Sequence, residues 1–217
     1  MRSPFVSEAA PPLRAALSRR WLLVYTIATV SAASALFAWR QNHVGGVGGP
    51  ISLAKTLWLN YMLITMYVAP FFLWRESSLA PATRRLFGCV FASFAVRAPV
   101  ELWIIFFTRA WRCEYGIAHD LFTIGLIAFL RRRISPDQSQ RDFVALRIAA
   151  LLQVTLLVEM FMAWQFSRLA SPAEGIYFAA DTAHFRIVNL ASWAAVALGY
   201  PALGYLLWRS RDERPIA

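Results

Sequence analysis

The chain has 217 residues, of which 59% are hydrophobic and 16% charged, and its formal net charge is +10. So few charges cannot clothe a soluble domain of this length in a polar surface. The basic excess sits in short groups of arginine beside apolar runs, as lipid-headgroup anchors do, which argues against nucleic acid as a partner.

Residues 1–20, with Pro4, Pro11 and Pro12, read as a flexible lead. The first apolar run, 21–39, is preceded by "SRRWLL" at 18–23, which resembles a twin-arginine export signal, with "ASA" at 33–35 as a possible cleavage point. The simpler reading keeps it as an uncleaved first span anchored by Arg19 and Arg20. The connection 40–55 is rich in glycine but lacks the Lys-Ser/Thr that completes a phosphate-binding loop.

Further runs follow at 56–74, 86–107, 113–130, 148–166 and 187–208, with a tail at 209–217. About 20 helical residues at 1.5 Å each cover a hydrocarbon core of roughly 30 Å, and a spanning segment must satisfy its own backbone. The expected fold is therefore all-α, a bundle of six transmembrane helices in one domain, 21–208. Loops that would share one side (1–20, 75–85, 131–147 and the tail) carry 15 of the 22 basic residues, against 6 in loops 40–55, 108–112 and 167–186. Positive-inside then puts both termini in the cytoplasm. Trp21, Trp39, Trp74, Trp111, Trp164 and Trp208 lie near run ends, as interfacial anchors do. Twenty-one arginines against the single Lys55 suit a GC-rich bacterial genome, so the expected location is a bacterial inner membrane. Cys89 and Cys113 fall near opposite membrane faces and cannot bridge each other.

Ionisable residues inside spans are costly and tend to mark function. Arg97 and Glu159 each lie 11 residues into an ascending run, about 16 Å deep, which predicts an ion pair. Glu101 shares a helix face with Arg97, Ser93 and Thr108 extend that stripe, and Pro99 between the two charges favours a kink. His119 and Asp120 descend from the outer end of the fourth run. The five-residue connection 108–112 makes the third and fourth helices neighbours, so Glu101, His119 and Asp120 can share a level, with Asn60 able to join. "GYPALG" at 199–204 gives the sixth run a second flexible point.

Three functions are compatible with this pattern. In the leading one, Arg97, Glu101, His119, Asp120, Glu159 and Asn60 line an outward-opening site that binds or transports a small molecule. In the second, a membrane-embedded enzyme acts on a lipophilic or lipid-linked substrate with His119 as base, or with His119, Asp120, Asp181 and His184 as metal ligands. No H-E-x-x-H or G-x-S-x-G motif supports it, adjacent residues point about 100° apart on a helix, and no cofactor is named by any motif. In the third, a regulatory or assembly factor meets a protein partner in the membrane or through the basic 131–147 loop. The purely structural alternative is that the charged residues form a satisfied network locking the helices together.

Overall fold

A computed structural model describes residues 13–44, 51–104, 113–135, 139–167 and 183–209; the side chains of 13–20, 102, 113–114, 166–167 and 183–185 are outside that description. Every regular element in it is helical: α1 (Leu13–His43), α2 (Leu53–Leu63), α3 (Ala69–Trp74), α4 (Pro81–Trp103), α5 (Cys113–Arg131), α6 (Gln140–Ser167) and α7 (Ala183–Arg209). A π-helical stretch, Ile64–Val68, joins α2 to α3 in one continuous rod. The six rods correspond to the six apolar runs. Among the described residues, four are long and apolar enough to cross a membrane: Trp21–His43, Leu53–Trp74, Gln140–Gln165 and Arg186–Arg209. The other two, α4 and α5, carry Arg97, Glu101, His119 and Asp120.

The rods close a ring in the order α2–α3, α4, α5, α6, α7, and α1 packs on the outside against α2 and the π-helical stretch. The peripheral place of α1 leaves only 6% of its apolar window buried, against 56% for the central rod. Two apolar clusters fill the ring. One gathers Trp58, Tyr61, Met162, Val188 and Val196 between α2, α6 and α7. The other gathers Leu86, Phe87, Phe94, Ile127, Leu152 and Leu156 between α4, α5 and α6. Outward faces remain apolar, with Phe122, Leu190 and Leu198 all more than 60% exposed. Hydrocarbon solvates such a surface and water does not.

Local chemistry explains the element ends. Pro70 has no N–H for the carbonyl of Met66, and the ladder widens just before it, with Ala69 N–H reaching back to Ile64 O. Thr65 Oγ1 shores up this stretch by donating to Tyr61 O at 2.8 Å. Asn42 clasps both backbone groups of Ile51, at 3.1 and 2.7 Å, and so ties the end of α1 to the start of α2. Ser52 then caps α2 by accepting from Lys55 N–H.

At the opposite end Ser139 and Asp142 cap α6, and Asp142 Oδ1 accepts from Ala80 N–H at 3.0 Å. This pins the α3–α4 turn beside the α5–α6 turn, so loops 75–85 and 131–147 share one end of the bundle. The latter loop is shorter than its charge suggests: Arg141 and Arg147 lie on the first two turns of α6. Residues 13–20 likewise belong to α1 rather than to a flexible lead. Pro99 and Pro201 are accommodated inside α4 and α7, which continue through them.

Candidate functional site

Arg97 is the organising charge. Its Nε donates to Glu101 Oε1 at 2.7 Å, one turn up α4, and its Nη1 donates to Asp120 Oδ1 on α5. Arg97 is 6% exposed and Asp120 is fully buried, while the Glu101 side chain retains 28% exposure. Gly116 lets the guanidinium lie against α5: a Cβ there would sit 3.3 Å from Arg97 Nη2 and 3.7 Å from Glu101 Oε1.

The pairing of Arg97 with Glu159 expected from equal depth is not the one formed. Glu159 Oε2 accepts instead from Trp58 Nε1 at 2.8 Å, across the α2–α6 contact. Depth fixes height along the bundle but not the direction in which a side chain leaves its helix. Glu159 still lies within electrostatic range of both Arg97 and Asp120, as Tyr67 does from the π-helical stretch. One guanidinium therefore bonds two carboxylates and has a third within electrostatic range.

His119 points into the bundle rather than to the surface; its side chain is 9% exposed. Its Nε2 lies 3.0 Å from Ser93 Oγ and 3.0 Å from Ser93 O. Ser93 Oγ is also 3.0 Å from Thr123 Oγ1, which donates to His119 O at 2.9 Å. On the other side of the ring, His119 Nδ1 is 3.6 Å from Asp120 Oδ1. The 100° between adjacent helix positions is thus overcome by rotation about the side-chain bonds. Neither His119 Nδ1 nor Asp120 Oδ2 has a hydrogen-bond partner among the described residues.

Asn60 does not join these charges. Its Nδ2 donates to Ser31 and Ser34 of α1 at 3.2 and 3.4 Å, and its Oδ1 accepts from Tyr200 of α7 at 2.6 Å. Those partners place it on the side of α2 that packs α1 and α7, where its amide is held by structural contacts. Asp181 and the side chain of His184 lie outside the described residues. Among those described, no three His, Cys, Asp or Glu residues converge as metal ligands would.

Three participants escape a reading by depth alone. Trp58 reads in the sequence as one apolar residue among many, and only the fold shows its indole N–H on Glu159. Thr123 falls one turn after His119, a signal that was available. Lys55, 3% exposed, has its Nζ 3.9 Å from Met162 Sδ, a contact that no spacing rule supplies.

No protein family matches this chain, and neither a curated protein nor a solved structure is detectably similar to it.

Proposed function

We propose that the chain is a six-span protein of a bacterial inner membrane, both termini cytoplasmic, that binds and transports a small molecule through the Arg97–Glu101–His119–Asp120 cluster, with Glu159 behind it. One observation carries this reading: among the described residues, two buried polar atoms, His119 Nδ1 and Asp120 Oδ2, stand without partners beside a buried ion pair. A network whose only task is to lock helices together is most stabilising when every polar atom is used. Intramembrane ionisable residues that keep unused capacity are where ligands and ions engage. Glu101, with 28% of its side chain exposed, is the least enclosed of the carboxylates that Arg97 bonds.

Native mass spectrometry of the purified full chain tests this. A small molecule should travel with the protein and be lost in Glu101→Gln and His119→Gln variants that still fold. Retention of the same adduct by both variants would sink the assignment.

A second reading has a specific observation behind it. Ser93 Oγ, His119 and Asp120 lie in the order nucleophile, base and carboxylate, as a membrane-embedded hydrolase of lipophilic esters would need. Against it, Nε2 is equally close to the Ser93 carbonyl, and the Ser93 hydroxyl is shared with Thr123. Covalent labelling of Ser93 by a fluorophosphonate would select this alternative.

A further inference from the structure

We propose that His119 and Asp120 together form a binding site for a single proton, and that the proton is a ligand of the cluster in its own right. The inference deepens the carrier reading, on which it rests for what the proton drives; the site itself stands on hydrogen-bond directions.

A carbonyl oxygen only accepts, so the contact of 3.0 Å between His119 Nε2 and Ser93 O requires hydrogen on Nε2. The neighbouring hydroxyls agree with this assignment. Thr123 Oγ1 donates to His119 O, which leaves its lone pairs to accept from Ser93 Oγ. Ser93 Oγ can then accept from the same Nε2–H. With hydrogen on Nε2, the neutral ring presents a bare lone pair at Nδ1. Nδ1 lies 3.6 Å from Asp120 Oδ1, which already accepts from Arg97 Nη1, so two acceptors approach each other and the ring supplies no hydrogen between them. Both groups are buried, and Nδ1 has no other partner among the described residues.

One proton resolves the conflict. Delivered by hydronium, it leaves its water and bonds to Nδ1 or to the Asp120 carboxylate, and the other atom accepts the resulting hydrogen bond. The cluster gains one positive charge. The charged and titratable groups around the pair are Arg97 and Glu101 from α4, Tyr67 from the π-helical stretch, Tyr115 from α5 and Glu159 from α6. Three carboxylates against one guanidinium leave an excess of negative charge for the proton to offset.

Nitrogen-15 NMR of histidine-labelled full chain in lipid nanodiscs reads the ring directly, with His119→Gln identifying the resonances. His119 should be the Nε2–H tautomer at alkaline pH and doubly protonated on acidification. In Asp120→Asn, proton binding at His119 should weaken by about tenfold or more, because an opposite charge within a few ångströms is lost. An Nδ1–H tautomer in the unaltered chain overturns the proposal and fits the serine-hydrolase geometry instead. Unchanged titration in Asp120→Asn also overturns it. Should that variant not fold, the tautomer of the unaltered chain decides alone. No transported substrate is present in this measurement, so a failure here leaves the carrier reading to the adduct experiment, and an absent adduct leaves the proton site standing.

Discussion

Arg97 and Asp120 form an ion pair across the α4–α5 contact, and Arg97 holds Glu101 with its remaining edge. The arrangement is lopsided: the guanidinium serves two carboxylates, and only one of those carboxylates is wholly buried. Arg97→Met should therefore be the most damaging single change in the cluster, at roughly 3–5 kcal/mol, since it strands the Asp120 charge in the interior. Asp120→Asn should cost less, about 1–3 kcal/mol, because Arg97 keeps Glu101. Combining the two should recover part of the Arg97 loss. Thermal unfolding of the purified variants in detergent gives the order, and a more damaging Asp120→Asn would contradict it.

Glu159 belongs to Trp58 in this structure, and that assignment separates two double-mutant cycles. Trp58→Phe leaves Glu159 Oε2 without its indole donor, a loss of about 1–3 kcal/mol. The Trp58→Phe/Glu159→Ala cycle should show a coupling energy above about 0.5 kcal/mol, and the Arg97→Met/Glu159→Ala cycle a smaller one. The reverse ranking would restore the Arg97–Glu159 pair.

Orientation has its own measurement. Asp142 fixes loops 75–85 and 131–147 at one end of the bundle, and under the proposed positive-inside orientation that end faces the cytoplasm. A reporter inserted between residues 134 and 139 should be active only in its cytoplasmic form. Activity confined to the periplasmic form would invert the bundle and with it the outward opening of the site.

How much of this was legible without coordinates follows from what a helix does to a sequence. Its fixed rise turns position into height, so Glu101, His119 and Asp120 could be placed at one level, and the short 108–112 connection made their helices neighbours. The azimuth of α6 about its own axis is set by packing that no local pattern records, so Glu159 was given the right depth and the wrong partner. Asn60 failed for the same reason: Ser31, Ser34 and Tyr200 capture it from helices far away in sequence. The π-helical stretch left a mark in Pro70, but the backbone adjustment that a proline provokes depends on its neighbours. That Nδ1 of His119 has no partner among the described residues was beyond reach, since it depends on which atoms of Ser93 and Thr123 face the ring.

At Gly199, α7 meets α2. A Cβ built there would lie 2.6 Å from Tyr61 Cζ and 2.8 Å from its Oη, far inside ordinary contact. Tyr61 cannot retreat easily, because it is 2% exposed, abuts Trp58 and Tyr200, and holds Thr155 through its hydroxyl at 3.1 Å. Gly204, five residues further along the same helix, has nothing within 4 Å of its own Cβ position. Alanine gains up to about 1 kcal/mol over glycine in a helix interior, and overpacking costs about 1–3 kcal/mol. Gly199→Ala should therefore lower the unfolding temperature, whereas Gly204→Ala should hold or raise it. Adding Tyr61→Leu to Gly199→Ala removes the ring that collides and should return part of the lost stability. Equal behaviour of the two glycine variants would mean that α7 does not approach α2 as closely as Tyr61 and Gly199 require.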